Sequence, residues 1–484
     1  MSAPLTRIDP LMHATQSPAS PLCAESHALP AENLLARFDR FGPRYTSYPT
    51  ADRFVEAFDG RALHTAIEDR RDSWSARPVA LYVHIPFCES LCYYCACNKI
   101  VTKHKERATP YLDSLFREVE LWRERIGERA RAGQLHLGGG TPTYLDDSQL
   151  ALLIERLSSA FEFTPHAERA IEVDPRTVDR ARLERLRRLG FNRISFGVQD
   201  LDPAVQEAVH RVQSEAEIAE LMRAARDLRF DSINIDLIYG LPRQTPAGFA
   251  RTIERIIALR PDRVALYAYA HMPQRFKPQR RIHESELPPA AHRVTMLAQA
   301  IAAFSTGGYD YVGMDHFALP QDALARAKRQ GLLTRDFQGY TANPECDLIA
   351  LGVSAISKLG AIYSQNHRDI EGYQEALKTG NLPVMRGIVL SRDDLVRRSI
   401  IMALMCQGEV SFESIEQAHL VDFRKAFASE LQELAPFEAE NLIRIEPDYL
   451  RVTELGWFFV RAIAMVFDRY VRTSVAMSPR ARLI

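Results

Sequence analysis

The segment HIPFCESLCYYCAC, from His84 to Cys97, decides the fold of this chain. It begins with the last two residues of the short β-rich run ALYVHI at Ala80–Ile85 and carries four cysteines. In folds that alternate strands and helices around a barrel, reactive side chains gather on the loops at the carboxyl ends of the strands. The segment therefore predicts the first strand of such a fold, followed by a loop that performs chemistry.

Three of these cysteines, Cys88, Cys92 and Cys95, form the pattern C-x3-C-x2-C, and Cys97 lies two residues further on. Each thiolate can bind one iron of a [4Fe–4S] cluster, because such clusters are held by cysteine thiolates. The fourth iron is then open to the amino and carboxylate groups of a cofactor. Two alternatives remain at this point, a zinc site and structural thiols without a ligand. A structural zinc site usually takes ligand pairs from two separated loops, and no second pair with that spacing occurs here.

The composition argues against a nucleic-acid-binding protein, a membrane-spanning protein and a disulfide-stabilised protein. The chain has 484 residues, 46% of them hydrophobic, which is enough for two or three structural units. Lys and Arg number 61 against 62 Asp and Glu, so no basic surface for nucleic acid is indicated. No apolar run approaches the roughly 20 residues of a membrane-spanning helix. Seven cysteines, four of them on one loop, favour a metal or redox site over a disulfide framework.

The first 30 residues are rich in Ala, Pro, Ser and Leu. They lack the basic region followed by an apolar region that marks a secretory signal. We therefore interpret residues 1–30 as a flexible leader outside the fold, and we expect a cytoplasmic protein.

Five further β-rich runs follow the cysteine loop and alternate with helical patterns. They are Gln134–Leu137, Ala170–Val173, Arg193–Phe196, Ser232–Leu237 and Arg263–Tyr269. Between them, Asp147–Phe161 and Thr177–Leu189 place apolar residues at helical spacing. Six strand–helix units predict an α/β fold, a parallel sheet curled into a partial (βα)6 barrel, because the closed barrel has eight.

The pattern changes towards the C-terminus. Arg392–Cys406 predicts a helix, Leu442–Thr453 a hairpin around Glu446–Asp448, and Leu455–Val471 a final helix. The expected domains are a leader at 1–30, an N-terminal segment at 31–75, the partial barrel with its extension at 76–370, and a mainly helical, wing-like C-terminal domain at 371–484. A wing alone does not indicate DNA binding, and its charge is unremarkable.

The cysteine loop, with Tyr94 before the third cysteine, resembles the signature of radical S-adenosylmethionine (SAM) enzymes, which share a partial barrel. The chain is most similar to one family, the oxygen-independent coproporphyrinogen III oxidases. The segments that carry the resemblance are GPRYTSYPTA (42–51), LYVHIPFC (81–88), CACNKIVT (95–102), GGGTPTYL (138–145), IEVDPR (171–176), GVQD (197–200), NIDLIYGLP (234–242), GMDHFA (313–318), FQGYT (337–341) and LGVSAIS (351–357). They cover nearly everything except the leader. One position departs from the pattern, since Ala96 stands where glycine is expected.

The resemblance implies a [4Fe–4S] cluster on Cys88, Cys92 and Cys95 and two SAM molecules per chain. It places the first SAM at Tyr82, Tyr94, Gly139, Glu172 and Ile356, and the second at Gly140, Thr141, Gln199, Arg211, Asp236 and Ala270. Cys97 is not needed as a ligand. We predict that it acts catalytically, as a thiol that assists proton or hydrogen transfer or shapes the pocket, and the alternative is a small buried hydrophobe.

The residues alone leave several of these assignments open. The triple glycine at 138–140 permits close approach of the backbone to a ligand, but it also suits a plain strand-to-helix turn. Glu172 and Asp236 lie within apolar strands, where a carboxylate needs either a ligand or an internal salt bridge. His84 and His316 are either structural or catalytic. Arg44 either meets a substrate carboxylate or anchors the N-terminal segment.

The reaction implied by the resemblance is that of an oxidoreductase, a SAM-dependent coproporphyrinogen dehydrogenase in haem biosynthesis. A 5′-deoxyadenosyl radical removes hydrogen from two propionates of coproporphyrinogen III, and loss of CO2 and an electron from each leaves the vinyl groups of protoporphyrinogen IX. The expected partners are this porphyrinogen, an electron donor and an electron acceptor, and a monomer is expected.

The alternative function is a haem-trafficking relative that keeps the barrel and cluster but binds haem without oxidase activity. Such relatives are expected to lack Cys97-Asn98-Lys99, the GPRYTSYPT segment and the set Gln199, Arg211 and Asp236, all of which are present. A radical enzyme acting on RNA would need a basic appended domain, and none is evident.

Overall fold

A computed structural model describes residues 32–38, 42–58, 60–73, 77–127, 130–342 and 346–473. Its main feature is one mixed sheet of twelve strands. These are β1 Val79–Ile85, β2 Ala130–Gly139, β3 Phe161–Val173, β4 Arg193–Gln199, β5 Ser232–Tyr239, β6 Arg263–Ala268, β7 Asp310–Gly313, β8 His316–Ala318, β9 Leu348–Leu351, β10 Ile356–Leu359, β11 Ile362–Asn366 and β12 Val384–Val389. Their order across the sheet is β12-β11-β10-β9-β1-β2-β3-β4-β5-β6-β8-β7.

Strands β1 to β6 lie side by side in chain order and are all parallel. Each of these strands contains the β-rich run predicted from the sequence, except that β6 ends one residue before Tyr269. Parallel strands in chain order are the product of repeated strand–helix units. The predicted α/β partial barrel is therefore confirmed, and its lumen is bounded by the inward side chains of these six strands.

The sheet is twice as wide as the sequence predicts. The hairpin of β7 and β8 extends the β6 edge in antiparallel fashion. On the other edge β9 pairs with β1 in parallel, and β10, β11 and β12 follow as an antiparallel meander. These strands have only three to six residues each. Runs this short do not show a clear alternation of apolar and polar residues, so the pattern does not reveal them.

The helices cover the sheet and form the C-terminal region. Their bounds are Glu32–Phe38, Gly60–Asp72, Ala108–Ile126, Asp147–Ala160, Arg180–Arg188, Pro203–Ala208, Glu215–Asp227, Pro246–Leu259, Ala290–Thr306, Ala323–Arg329, Ile370–Lys378, Arg392–Gln407, Phe412–His419, Phe423–Ala426, Ala428–Ala439, Val460–Val466 and Arg469–Thr473. The predicted helix at 177–189 begins three residues late, because Asp179 caps it by accepting from the Arg182 N–H. Among the described residues, no helix is long and apolar enough to cross a membrane.

The C-terminal hairpin has the predicted position, with strands Ile443–Ile445 and Tyr449–Val452, and Glu409–Ser411 adds a third strand. The predicted single helix at 455–471 is wrong. The chain forms a 3-10 turn and two short helices there, which end at Phe459, Val466 and Thr473. The break occurs at buried Asp468, whose carboxylate accepts from the backbone N–H groups of Tyr470 and Val471 and thereby starts a new helix.

The N-terminal segment packs on this C-terminal region. The Phe38 and Phe437 rings lie 4.5 Å apart, and Tyr45 Oη donates to Asp468 Oδ2 at 2.9 Å. Leu34, Phe38, Tyr45 and Tyr48 share one apolar core with the last helices, whereas Leu63 and Ile67 of the helix Gly60–Asp72 pack in the core of the barrel. The division into domains at 75 and 370 stays a prediction, and the predicted leader lies outside the described residues.

Candidate active site

An open cavity lies at the carboxyl ends of the barrel strands. Most of the predicted site residues line it: Cys88, Cys92, Tyr94, Cys95, Cys97, Gly139, Gly140, Thr141, Glu172, Gln199, Arg211 and Asp236. They come from the cysteine loop and from strands β2 to β5 or the segments that follow them. The parallel sheet brings these residues together, since the carboxyl ends of neighbouring parallel strands share one edge.

The cysteine loop is closed by a two-residue parallel ladder. Phe87 and Cys88 pair with Ile100 and Val101, and Thr102 N–H donates to Cys88 O at 2.9 Å. The ladder brings the two ends of the loop together, so the intervening cysteines face the cavity. Ala96, the departure from the family pattern, is exposed.

Two arginines flank the sulfur of Cys92. Arg211 Nη1 lies 3.4 Å from Cys92 Sγ, and Arg176 Nη2 lies 3.7 Å from it. Both guanidinium groups also bind the carboxylate of Asp174, at 3.1 Å and 2.6 Å. This buried array presents positive charge to the thiol, and positive charge stabilises thiolates and the anionic clusters that thiolates bind.

The thiols differ in their surroundings. Burial raises the pKa of Cys88 to about 11, although Thr141 Oγ1 lies 3.5 Å from its sulfur and opposes the shift. The hydrogen bond with Cys97 lowers the pKa of Cys95 to about 6 and raises that of Cys97. Cys97 is exposed to the cavity, and its catalytic role stays a prediction.

The arrangement fits a multi-iron cluster. All of these cysteines are free of disulfides. Within the described parts of the chain, no three His, Cys, Asp or Glu side chains lie close enough together to hold a single metal ion. Ligands of a cubane are spread around it because each binds a different iron, whereas zinc requires them in one tetrahedron. The thiols of Cys88, Cys92 and Cys95 line one cavity, and their assignment to a cluster stays a prediction.

The triple glycine packs against the start of the cysteine loop. Gly139 has φ +111°, and a Cβ there would lie 2.6 Å from the His84 ring. A Cβ on Gly140 would lie 2.8 Å from the backbone of Pro86 and Phe87. Gly140 N–H donates to Ile85 O at 2.8 Å. Glycine is required here because two backbone segments touch, and this contact places Gly140 and Thr141 beside the thiols.

Glu172 lies in the lumen as part of a polar chain. Its carboxylate accepts from His136 Nε2 at 3.0 Å and from Gly139 N–H at 3.2 Å. Burial alone would raise the pKa of Glu172, but these bonds and the His136 ring hold it below the usual value. The Tyr82 ring stacks on His136 at 5.8 Å. Glu172 thus stays ionised and keeps capacity to accept from a ligand hydroxyl or amine.

Asp236 lies in the same lumen, and no lysine or arginine in the described part of the chain forms an ion pair with it. Ser195 Oγ donates to it at 3.0 Å, and Asn234 Nδ2 donates at 2.8 Å. Burial and the charge of Glu172 raise the pKa of Asp236 to about 6. The internal salt bridge considered for Asp236 is therefore not formed with a described residue, and its carboxylate is held by neutral donors facing the cavity.

Gln199 and Arg211 close the cavity at the end of β4. Arg211 Nε donates to Gly197 O at 3.0 Å, which fixes the guanidinium beside Cys92. A Cβ on Gly197 would lie 2.9 Å from the Gln199 amide and 3.0 Å from Arg211. Arg211 is thus committed to protein groups on several sides, and its bidentate use on a cofactor carboxylate stays a prediction.

Three predicted residues are not among the cavity lining: Tyr82, Ala270 and Ile356. Tyr82 reaches the site through His84, whose Nδ1 lies 3.2 Å from Tyr82 Oη. Ala270 O and Tyr94 O both accept from Gln279 Nε2, at 3.1 Å and 2.9 Å. Ile356 lies opposite Gln365 on β11.

Sequence reasoning missed Asp174, Arg176, His136, Ser195 and Lys99. Asp174, Ser195 and Lys99 line the cavity, and Arg176 and His136 contact its residues. Asp174 and Arg176 belong to the quoted segment IEVDPR, so their signal was present. His136 and Ser195 sit inside β-rich runs, where a single polar residue is indistinguishable from one that faces solvent.

The undecided residues now have partners. His84 Nε2 donates to Asn98 O at 2.9 Å, across the base of the cysteine loop. His316 Nδ1 pairs with Asp315 at 2.7 Å. Arg44 Nη2 donates to Ala268 O at 2.7 Å, which ties the N-terminal segment to the end of β6. These contacts give His84 and Arg44 a positioning role in this structure.

Comparison with known proteins identifies the family. A Radical SAM superfamily model matches residues 82–256, and a HemN C-terminal domain model matches 390–459. The oxygen-independent coproporphyrinogen III oxidase of Pseudomonas aeruginosa is 47% identical over 91% of this chain and 95% of its own length. That of Escherichia coli K12 is 43% identical over 93% and 98%. The chain belongs to the oxygen-independent coproporphyrinogen III oxidase family.

A solved structure agrees with this membership. Coproporphyrinogen III oxidase (HemN) from Escherichia coli, a radical SAM enzyme, superposes with a TM-score of 0.85 at 44% identity, over 88% of this chain and 97% of its own. The family resemblance predicted from motifs is thereby confirmed, as is the radical SAM fold. As a member of the oxidase family, the chain is a SAM-dependent oxidoreductase with a [4Fe–4S] cluster. The relatives support the oxidase and not the haem-trafficking alternative.

Proposed function

We propose that this protein converts two propionate side chains of coproporphyrinogen III to vinyl groups without oxygen and forms protoporphyrinogen IX. The observation that carries the proposal is one cavity that joins the free thiols of C-x3-C-x2-C to Glu172, Arg211 and Asp236. Relatives at 43–47% identity that bear the name of this enzyme support it.

The cluster is assigned to Cys88, Cys92 and Cys95, and two SAM molecules are assigned to one chain. When bound, the cluster and SAM supply a 5′-deoxyadenosyl radical that removes hydrogen from the propionate. The first SAM is assigned to Tyr82, Tyr94, Gly139, Glu172 and Ile356, and the second to Gly140, Thr141, Gln199, Arg211, Asp236 and Ala270. The presence of two lumen carboxylates, each held by its own hydrogen-bond donors, supports two binding positions.

The side chains contribute orientation and charge. Ionised Glu172 accepts hydrogen bonds from a ligand, and Asp236 does so above its pKa of about 6. Arg211 and Arg176 place positive charge at Cys92. Cys97 presents an exposed thiol beside Cys95 and is assigned the proton- or hydrogen-handling role. The electron donor and the acceptor act as separate partners, and the protein is assigned as a cytoplasmic monomer.

The test is anaerobic incubation of the reconstituted protein with coproporphyrinogen III, a reductant for the cluster, SAM and a soluble one-electron acceptor, followed by separation of the oxidised porphyrins. We expect protoporphyrin together with a monovinyl intermediate at early times. Cys92→Ser should abolish product, and Cys346→Ser, a free cysteine outside the loop, should not. Absence of vinyl product from protein that holds about four irons per chain would refute the proposal.

A further inference from the structure

A row of side chains leads across the sheet away from the cofactor residues. Ile356 on β10 lies opposite Gln365 on β11, and Gln365 lies opposite Arg386 on β12. Directly opposed residues of antiparallel strands project to the same face. Ile356 is assigned to the first SAM, so Arg386 lies on the same face two strand spacings away, a distance of about 10 Å.

Gln365 orients the arginine. Arg386 Nε donates to Gln365 Oε1 at 2.7 Å, and buried Gln365 in turn donates from Nε2 to Ser354 O at 3.0 Å. Among the described residues, Arg386 makes no other side-chain hydrogen bond and no ion pair. Its two terminal nitrogens therefore remain available, in the planar geometry that receives a carboxylate through two parallel bonds.

Two more arginines stand near it. Arg275 lies on the loop after β6, five residues beyond Ala270, and Arg368 lies on the loop after β11. Asn98 Nδ2 donates to Arg368 O at 2.9 Å, which joins this loop to the cysteine loop. Both side chains are exposed, and neither has a hydrogen bond or ion pair with a described residue. We call Arg275, Arg368 and Arg386 the rim arginines.

Arg368 and Arg275 repel Arg386. Partial burial and the charges of Arg368 and Arg275 lower the pKa of Arg386, and Glu56 and Asp52 oppose this shift only in part. Like charges that nearby carboxylates balance only in part leave an electrostatic cost, which a bound anion reduces. An anionic ligand that reaches all three groups is therefore favoured.

An apolar surface borders the same place. The rings of Phe54, Phe337 and Tyr363 pack with centroids 5.5–6.4 Å apart, and the Arg386 guanidinium lies 5.8 Å from the Phe54 centroid. Phe337 and Ile356 belong to this cluster and are only half-buried, so they keep accessible surface. The site thus combines an apolar surface with charged arginine side chains at the edge of that surface.

We propose that the rim arginines, centred on Arg386, bind propionate carboxylates of the tetrapyrrole substrate while a pyrrole ring lies against Phe337 and Ile356. This inference rests on the proposed function and adds the residues that select the substrate. A tetrapyrrole with propionates matches the site because it combines an apolar ring system with carboxylates at its periphery. The row from Ile356 to Arg386 places those carboxylates within reach of the assigned first SAM.

The test measures binding rather than turnover. Anaerobic holoenzyme with cluster and SAM is titrated with coproporphyrin III and with protoporphyrin IX, which has two fewer carboxylates, and porphyrin fluorescence is followed. We expect Arg386→Ala to weaken the binding of coproporphyrin III about tenfold, which corresponds to about 1.4 kcal/mol of binding free energy. The affinity for protoporphyrin IX should decrease clearly less. The coproporphyrin III affinity of Arg386→Lys should lie between those of the wild type and Arg386→Ala. Lysine keeps the positive charge but lacks the planar guanidinium that forms two parallel hydrogen bonds.

Arg223→Ala, an exposed arginine on the helix Glu215–Asp227, is the matched control and should bind both porphyrins normally. Arg275→Ala on an exposed loop repeats the test if Arg386→Ala fails to hold four irons. Unchanged coproporphyrin III affinity in these variants overturns the inference, as does an equal loss for both porphyrins. Weaker SAM binding would overturn it too, since the arginines would then serve the cofactor.

Turnover by the wild type separates the two hypotheses. If the wild type forms vinyl product and the arginine variants bind like wild type, this inference fails and the proposed function stands. If coproporphyrin III binding depends on Arg386 but the wild type forms no product, the carboxylate site stands and the proposed function fails.

Discussion

The guanidinium group of Arg211 lies 3.4 Å from the sulfur of Cys92. Asp174 accepts from the same nitrogen at 3.1 Å, and it also binds Arg176. The charge that faces the cysteine loop is therefore held by a carboxylate on the segment after β3. A residue predicted for the second cofactor thus also belongs to the surroundings of the cluster.

The first prediction concerns this charge. Arg211→Gln should lower the reduction potential of the cluster, because a nearby cation stabilises the more negative, reduced state. At a few ångströms we expect a decrease on the order of 60 mV, equivalent to about 1.4 kcal/mol for one electron. Redox titration followed by EPR, without SAM, measures it. Arg223→Gln should leave the potential unchanged, and an equal potential in Arg211→Gln would contradict the argument.

The second prediction tests the ligands. Anaerobically prepared protein should hold about four irons per chain. Replacing Cys88, Cys92 or Cys95 by Ala should remove that iron, whereas Cys346→Ala should retain it. Metal analysis with the visible absorption spectrum reads both. Stoichiometric zinc without iron after anaerobic reconstitution would refute the cluster.

The third prediction tests the number of cofactors. Asp236→Ala should abolish or weaken by tenfold or more the binding of one SAM of two, because a charge-assisted hydrogen bond contributes about 1.5–3 kcal/mol. The cluster should remain intact. Equilibrium binding to fully loaded protein counts the molecules. Saturation of the wild type at one SAM per chain would exclude the second position.

The fourth prediction concerns Cys97. Its thiol is exposed in the cavity and hydrogen-bonded to Cys95. Cys97→Ser should keep iron content and SAM binding near normal, while product formation falls steeply. Loss of a quarter or more of the iron would make Cys97 a ligand instead, and full turnover would remove its catalytic role.

The fifth prediction concerns pH. Buried Glu118 accepts from Tyr373 Oη at 2.6 Å, Gly352 N–H at 2.8 Å and Asn366 Nδ2 at 2.7 Å. Burial raises the pKa of Glu118 from 4.5 to about 7. The pKa of Glu118 is higher in the folded state than in the unfolded state. The stability that Glu118 contributes is therefore fully present below about pH 4.5 and is lost as the pH rises through 7.

The free energy of unfolding of the wild type should therefore decrease by up to about 3 kcal/mol between pH 4.5 and 8, relative to that of Glu118→Gln, whose side chain does not titrate. Denaturation of both proteins across this range measures the difference. A stability difference that does not vary with pH would show that Glu118 titrates normally in the folded protein.

Much of the barrel was predictable from the sequence because its strands are parallel. Such strands are buried on both faces and are separated by amphipathic helices, so runs such as Ser232–Leu237 stand out. The strands β7 to β12 did not stand out. They are short, all but the parallel β1–β9 pair are antiparallel, and they gain their stability by pairing with an existing edge rather than from their own composition. The break near Asp468 likewise depends on a side-chain cap that helical periodicity does not register.

For the site, the sequence by itself determined the three thiols predicted as ligands, because they and their spacing lie on one loop. It also determined the glycines beside them and, through family motifs, the polar residues of the lumen. Only the tertiary structure decided how these groups are paired: Asp174 with two arginines, Glu172 with His136, and Arg386 in line with Ile356. Such pairings join strands that are distant in the chain. Their distances follow from sheet register and packing, which local patterns of residues do not encode.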